Sequence, residues 1–298
     1  MLTTLKDVLG DARANRYAVP AFDCTEDVMV RAILETAEAR RAPVILMCLE
    51  MDLLSNDGNG WAYQAGLIRA VADHHRIPVV LHLDHANRLE LIEKAVGCGF
   101  SSVMIDGSAL PFPQNVELTR AAVQLARPRG ISVEGELGHV GGMDLDDKHC
   151  AENVLTEPDE VARFVELTGV DALAVSIGTS HGVYRAEPVL NIARLKQLNA
   201  VSPVPLVLHG GSGTPDAQIQ DAVRHGICKL NIYADERVAM ARGLRAFAQT
   251  VQRPDPLPRD MFGAVKQALA GVIAEKIDLL FAGNRARQEN LQPEGDTA

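Results

Sequence analysis

The chain has 298 residues, 47% of them hydrophobic and 23% charged, and carries a formal charge of -10 at pH 7. This length excludes a small disulfide-stapled domain and suits one large α/β domain or two smaller ones, and the average composition excludes a disordered or fibrous chain. The acidic balance and the 4% aromatic content exclude a base-stacking or basic surface, so neither nucleic acid nor an anionic membrane is expected as a partner.

The first segment, Thr4 to Asn15, has helical periodicity and no apolar leader core, so no secretory signal is expected. Runs such as PVILMCLEM and VPLVLHGG are far shorter than the roughly 20 residues of a membrane span. The five cysteines, Cys24, Cys48, Cys98, Cys150 and Cys228, are odd in number and form no CxxC pair. They read as reduced thiols of a cytoplasmic protein.

From Tyr17 onward, short apolar runs alternate with helix-period segments, the pattern of βα units in a parallel sheet. The expected strands are Tyr17 to Phe22, Pro43 to Leu49, Val79 to Asp84, Ser102 to Asp106, Ser132 to Leu137, Ala172 to Gly178, Leu206 to Gly211 and Cys228 to Tyr233. Between them lie helices Val28 to Arg40, Trp61 to His74, Arg88 to Gly97, Pro113 to Arg127, Pro158 to Thr168, Leu190 to Leu198 and Pro215 to His225. The runs are continuously apolar, as in strands covered on both faces. Eight such units predict a (β/α)8 TIM barrel of the α/β class, spanning residues 1–285 as one domain. An N-terminal helix precedes it, and the proline-rich stretch RPDPLPRD leads into a C-terminal helical extension, Met261 to Phe281. Residues 286–298 read as a polar tail. An open doubly wound sheet is the alternative, but no GxGxxG follows the first strand.

In a barrel the chemistry lies at the C-terminal strand ends, and those positions here hold acids and metal ligands. His85, His181 and His209 close the third, sixth and seventh strands. One rim histidine more often only hydrogen-bonds, but three at equivalent ends can converge on zinc and leave a fourth position for substrate. His74, His75, His82, His139, His149 and His225 fall in helices, loops or mid-strand and read as solvated or core. Asp84 could cap the following helix, but its place at the mouth marks it as a general acid/base. Asp106 and Glu136 could orient the histidines, form rim ion pairs, or line an alternative metal position. The His209-Gly-Gly-Ser-Gly213 segment suits a phosphate cradle of backbone N–H groups.

In this order, LHLDH, SVMIDGS, VEGELG, GTSHGVY, LVLHGGSG and KLNIYAD resemble the class II, zinc-dependent ketose-bisphosphate aldolases, the family of fructose- and tagatose-bisphosphate aldolases. The resemblance runs from YAVPAF to the C-terminal helix. It implies a homodimer or homotetramer acting on a small phosphorylated sugar, which is reversibly cleaved to dihydroxyacetone phosphate and an aldehyde. By motif, His85, His181 and His209 match the zinc ligands, Asp106 and Glu136 the acids of an alternative metal position, and Asp84 the proton-transferring aspartate. Gly182, Gly211, Ser212 and Asn231 match residues that hold the dihydroxyacetone phosphate portion and a monovalent cation, Na+ or K+. Gly210 and Asp235 of the same motifs are placed with them. The segment Gly138 to Asp147 resembles a mobile lid whose acid would be Asp144, with Asp146 and Asp147 as neighbours able to take its role.

The chemistry agrees with the resemblance. Breaking C3–C4 of a ketose leaves a carbanion beside a carbonyl, and zinc can hold the resulting enediolate while Asp84 takes the C4-hydroxyl proton. Four departures from the family pattern concern the lid and the aldehyde end. The lid carries Asp144 where Glu is usual, Ala234 stands for a phosphate-touching Thr, and Leu49-Glu50-Met51 replace a Ser. The run Asp255-Pro-Leu-Pro-Arg259 replaces Asp-Pro-Arg, leaving Arg259 as the candidate for the far phosphate. An aldolase or epimerase acting on a different ketose or deoxy-keto sugar acid phosphate is therefore the alternative. A non-catalytic binding barrel is a further one, opposed by Asp84, Glu136 and the three histidines.

Overall fold

The computed structural model describes residues 2–54, 60–141, 153–182 and 187–286. Eight parallel strands, β1 (Val19–Asp23), β2 (Val44–Leu49), β3 (Val79–Ala86), β4 (Ser102–Ile105), β5 (Ser132–Leu137), β6 (Ala172–Val175), β7 (Leu206–Leu208) and β8 (Ile227–Ile232), close into a barrel in chain order. The pairing of β1 with β8 completes the ring. All eight expected strands are present. The sixth and seventh stop at Val175 and Leu208, three residues before the expected ends, because the glycine-containing segments that follow leave the ladder to build the mouth.

Helices α1 (Leu5–Asn15), α2 (Asp27–Ala39), α3 (Glu50–Leu54), α4 (Gly60–Ala72), α5 (Leu89–Cys98), α6 (Phe112–Ala126), α7 (Pro158–Thr168), α8 (Ile192–Val201), α9 (Asp216–Arg224), α10 (Ala234–Thr250) and α11 (Pro258–Leu279) surround the strands. Thr4 caps α1 by accepting from the Asp7 amide, and the Thr4 hydroxyl donates back to the Asp7 carboxylate. The helix buries Leu5 and Leu9 completely, and the Lys6 amide donates to Ser132 Oγ at the start of β5. It thereby stoppers the end of the barrel opposite the mouth.

Helix α10 was not among the expected elements. It buries only Glu236, Ala239 and Gly243, too few apolar residues to mark a stripe. Its contact with α11 depends on small side chains: a Cβ on Gly243 would lie 3.0 Å from the Ala264 carbonyl oxygen and 3.1 Å from the Ala268 methyl. Among the described residues no helix is long and apolar enough to cross a membrane.

Strand pairing fixes which residues face inward. Val19 pairs with Lys229 and Ala21 with Asn231, so Val19, Ala21 and Asp23 alternate into the barrel beside Lys229 and Asn231. On β3 the inward residues are His82 and Asp84, and on β5 Glu134 and Glu136. The interior is therefore polar from its middle layer up to the mouth.

Candidate active site

In a regular strand Asp84 and His85 would point to opposite faces. Here the pairing of β3 with β4 slips between Leu83 and Ala86, and His85 has a φ of 46°. A bulge with its residue in the left-handed region costs a non-glycine roughly 1–2 kcal/mol. It turns both side chains into one mouth. Asn231 Nδ2 donates to the Asp84 carboxylate at 3.1 and 3.2 Å, and His85 reaches the other histidines.

The rings of His85 and His209 lie 4.6 Å apart, those of His85 and His181 5.0 Å, and those of His181 and His209 5.9 Å. Their partners fix the tautomers. His85 Nδ1–H donates to Asp106 Oδ2 at 3.0 Å, and His209 Nε2–H donates to Glu134 Oε1 at 2.9 Å. The bare nitrogens, His85 Nε2 and His209 Nδ1, then face each other at 2.9 Å. At that distance the two nitrogens share a proton or a metal ion. The third imidazole, His181, has a buried Nε2 with no hydrogen-bond partner. Three imidazole nitrogens within 4.8 Å of one another could hold a metal ion, and each outer nitrogen that bonds a carboxylate is held as metal-binding histidines usually are.

The electrostatics of the pocket point the same way. Against its burial, Asp84, Asp106 and Glu136 lift the pKa of His85 to about 10. Burial and then the charge of His85 bring His181 down to about 4 and push His209 well below its ordinary value. Of the three imidazoles, His85 is the one whose surroundings favour the protonated form. The carboxylate environment thus attracts a cation to this spot. His85, Asp106 and Glu136 form a second group within the same reach. Burial and then Asp106 push Glu136 up to about 8, and its Oε2 has no hydrogen-bond partner. Asp106 is held below the ordinary carboxylate range against its burial, mainly by the bond from His85. These residues fit an alternative metal position.

One layer deeper lies a buried ionic group that sequence reasoning missed. Lys229 Nζ is 2.8 Å from Glu134 Oε2 and 3.5 Å from His82 Nε2, and His82 Nδ1 contacts Ser102 Oγ at 2.8 Å. All four residues have 0% exposure. Each of His82, Glu134 and Lys229 stands two residues before a site residue: Asp84, Glu136 and Asn231 respectively. That period of two in a barrel strand was the available signal.

At the ends of β7 and β8, Gly210 has a φ of 68° and a Cβ there would collide with the Ser180 carbonyl oxygen. The Gly211 amide donates to the Asn231 carbonyl, and Ser212 Oγ accepts from the Tyr233 and Asp235 amides. The glycine segment is thus tied to the first turn of α10. Gly210→Ala is expected to cost more than about 1 kcal/mol and to raise KM for a phosphorylated substrate, as thermal melts and steady-state kinetics would show.

The remaining site residues are placed as follows. Gly182 follows His181 in a left-handed conformation with φ of 87°. Asp235 lies 2.9 Å from Lys276 of α11. Arg259, 81% exposed, lies near Asp260. It stands at the opposite end of α11 from Lys276, about 26 Å along the helix axis, and so is not among the gathered residues of its own chain. Glu50 binds the guanidinium of Arg88 through both carboxylate oxygens. Asp144, Asp146 and Asp147 lie outside the described residues.

A closed eight-stranded barrel with three convergent imidazoles and a tethered aspartate at its mouth defines a lyase of the metal-dependent aldolase class. The model of the family described as fructose-bisphosphate aldolase class-II matches residues 3–285, and the chain belongs to that family. A fructose-bisphosphate aldolase of Giardia intestinalis is 38% identical over 312 residues, covering 96% of this chain and 94% of that protein. The crystal structure of the YdjI aldolase from Escherichia coli K12 is similar with a TM-score of 0.85 and 32% identity, over 96% of this chain and 100% of that one. The fructose-bisphosphate aldolase of Campylobacter jejuni gives a TM-score of 0.82 and 25% identity, over 95% and 96% of the two chains.

Proposed function

We propose that the protein reversibly cleaves a ketose 1-phosphate or 1,6-bisphosphate, of the fructose or tagatose type, into dihydroxyacetone phosphate and an aldehyde, using zinc. The observation that carries this reading is the convergence of imidazole nitrogens from His85, His181 and His209 next to an aspartate held by Asn231. Zinc on those nitrogens supplies a Lewis acid for the negative charge that builds on the ketose oxygens as C3–C4 breaks. Asp84 accepts the C4-hydroxyl proton as the aldehyde leaves and returns it in condensation. Asn231 holds both carboxylate oxygens of Asp84, so the base meets the hydroxyl in one orientation. Asp106 and Glu134 keep His85 and His209 in the tautomers that face the metal position.

The glycine segment, Gly210 and Gly211 with Ser212, cradles the phosphate of the dihydroxyacetone phosphate half, with Gly182 and a monovalent cation at the same end. A lid acid, Asp144 or its neighbours, exchanges the proton on the enediolate carbon. The working form is a cytoplasmic homodimer or homotetramer. The test is to incubate the protein with ketose 1-phosphates and 1,6-bisphosphates and to identify the products by mass spectrometry. Dihydroxyacetone phosphate is the expected product. Conversion of a substrate only into its epimer would sink the aldolase reading.

A further inference from the structure

We infer that the substrate is a ketose 1-phosphate whose aldehyde half ends in hydroxyl groups rather than a second phosphate; this rests on the aldolase reading above. With the phosphate of the dihydroxyacetone half at the ends of β7 and β8 and the C4 hydroxyl at Asp84 on β3, the departing aldehyde extends toward the ends of β1 and β2. The inward residues there carry negative charge or none. Asp23 ends β1, two residues beyond Ala21, which pairs with Asn231, and so is the next inward residue toward the mouth. Its side chain is nearly buried, at 2% exposure. Leu49 ends β2 beside Asp84 and offers no donor. Asp23 and Asp84 thus form two carboxylate-bearing positions on this wall, which accept hydrogen bonds and donate none once ionised.

Two described cations at these strand ends are already paired with carboxylates. Arg88 is bound by both oxygens of Glu50, the residue that follows Leu49. Lys276 is on Asp235, and Arg237 lies over the Tyr233 ring at 5.3 Å. Glu236, fully buried in the first turn of α10, lies close enough to Asp23 that burial and the charge of Asp23 raise its pKa well above the ordinary value. It supplies no positive charge either. A phosphate dianion entering this region would face the carboxylates of Asp23 and Asp84, while Arg88 and Lys276 are each held by a carboxylate of their own. Hydroxyl groups would donate to the same oxygens. The wall therefore selects by repulsion as much as by attraction.

The test compares kcat/KM within two pairs: D-fructose 1-phosphate against D-fructose 1,6-bisphosphate, and D-tagatose 1-phosphate against D-tagatose 1,6-bisphosphate. For the C4 epimer that is cleaved, the 1-phosphate is expected to be favoured at least about tenfold. Asp23→Asn, and Glu50→Gln, which releases Arg88, are each expected to move that ratio toward the bisphosphate. Both substrates are measured on one sample, so the ratio is independent of the folded fraction. Equal or better cleavage of the bisphosphate by the unaltered protein would overturn this inference and leave the aldolase reading standing. A failure to cleave all four compounds would overturn both.

Discussion

Asp84→Asn is expected to lower aldol cleavage by about 10²–10⁴-fold while leaving metal content and fold unchanged. The three histidine nitrogens are untouched by this change, so metal analysis should give the same stoichiometry as the unaltered protein. The substitution preserves size, and the residue is nearly buried at the barrel mouth, so no cavity is created. What is lost is the ability to take a proton from the C4 hydroxyl. The loss should appear in kcat with KM little altered, because an acceptor needed only as the hydroxyl ionises does not contribute to ground-state binding. An equal fall in thermal stability and activity would instead mark Asp84 as a structural partner of Asn231.

The second large effect is expected one layer below. Lys229→Met removes the cation from a group in which Lys229, Glu134, His82 and His209 are all fully buried. Breaking a buried ion pair from one side costs roughly 3–5 kcal/mol, because the remaining charge has no water to turn to. For a chain of this size the melting temperature should fall on the order of 10 °C. The same change should weaken metal binding about 10–100-fold, because Glu134 also holds Nε2–H of His209. Chelator competition would measure that second effect. Pairing Lys229→Met with Glu134→Leu should restore much of the stability and none of the metal affinity. Recovery of both would show that Glu134 does not orient His209.

The barrel was legible because strands covered on both faces read as uninterrupted apolar runs, and the eight runs recur with helices between them. Strand ends were less so: at Val175 and Leu208 the chain leaves the ladder while its sequence is still apolar or glycine-rich. Helix α10 escaped because Gly243 and Ala239 pack it through smallness. The histidines and Asp84 stood out from position alone, but how neighbouring residues Asp84 and His85 could share one mouth did not, since nothing in the sequence LHLDH signals a left-handed histidine. Lys229, Glu134 and His82 were hidden by their setting inside strands that otherwise read as apolar core. Arg259 was singled out by the likeness of its run, Asp255-Pro-Leu-Pro-Arg259, to the family's Asp-Pro-Arg, and the length of α11 sets it about 26 Å along the helix axis from Lys276.

A metal ion held by His85, His181 and His209 is expected to be required for carbon–carbon bond cleavage. The decisive measurement is dihydroxyacetone phosphate release from a cleaved ketose phosphate before chelation, after exhaustive chelation, and after adding back one equivalent of zinc. Loss of cleavage on chelation and its return with zinc in the unaltered protein, but not in His181→Ala, is the predicted result. Full activity in the metal-stripped protein would contradict it.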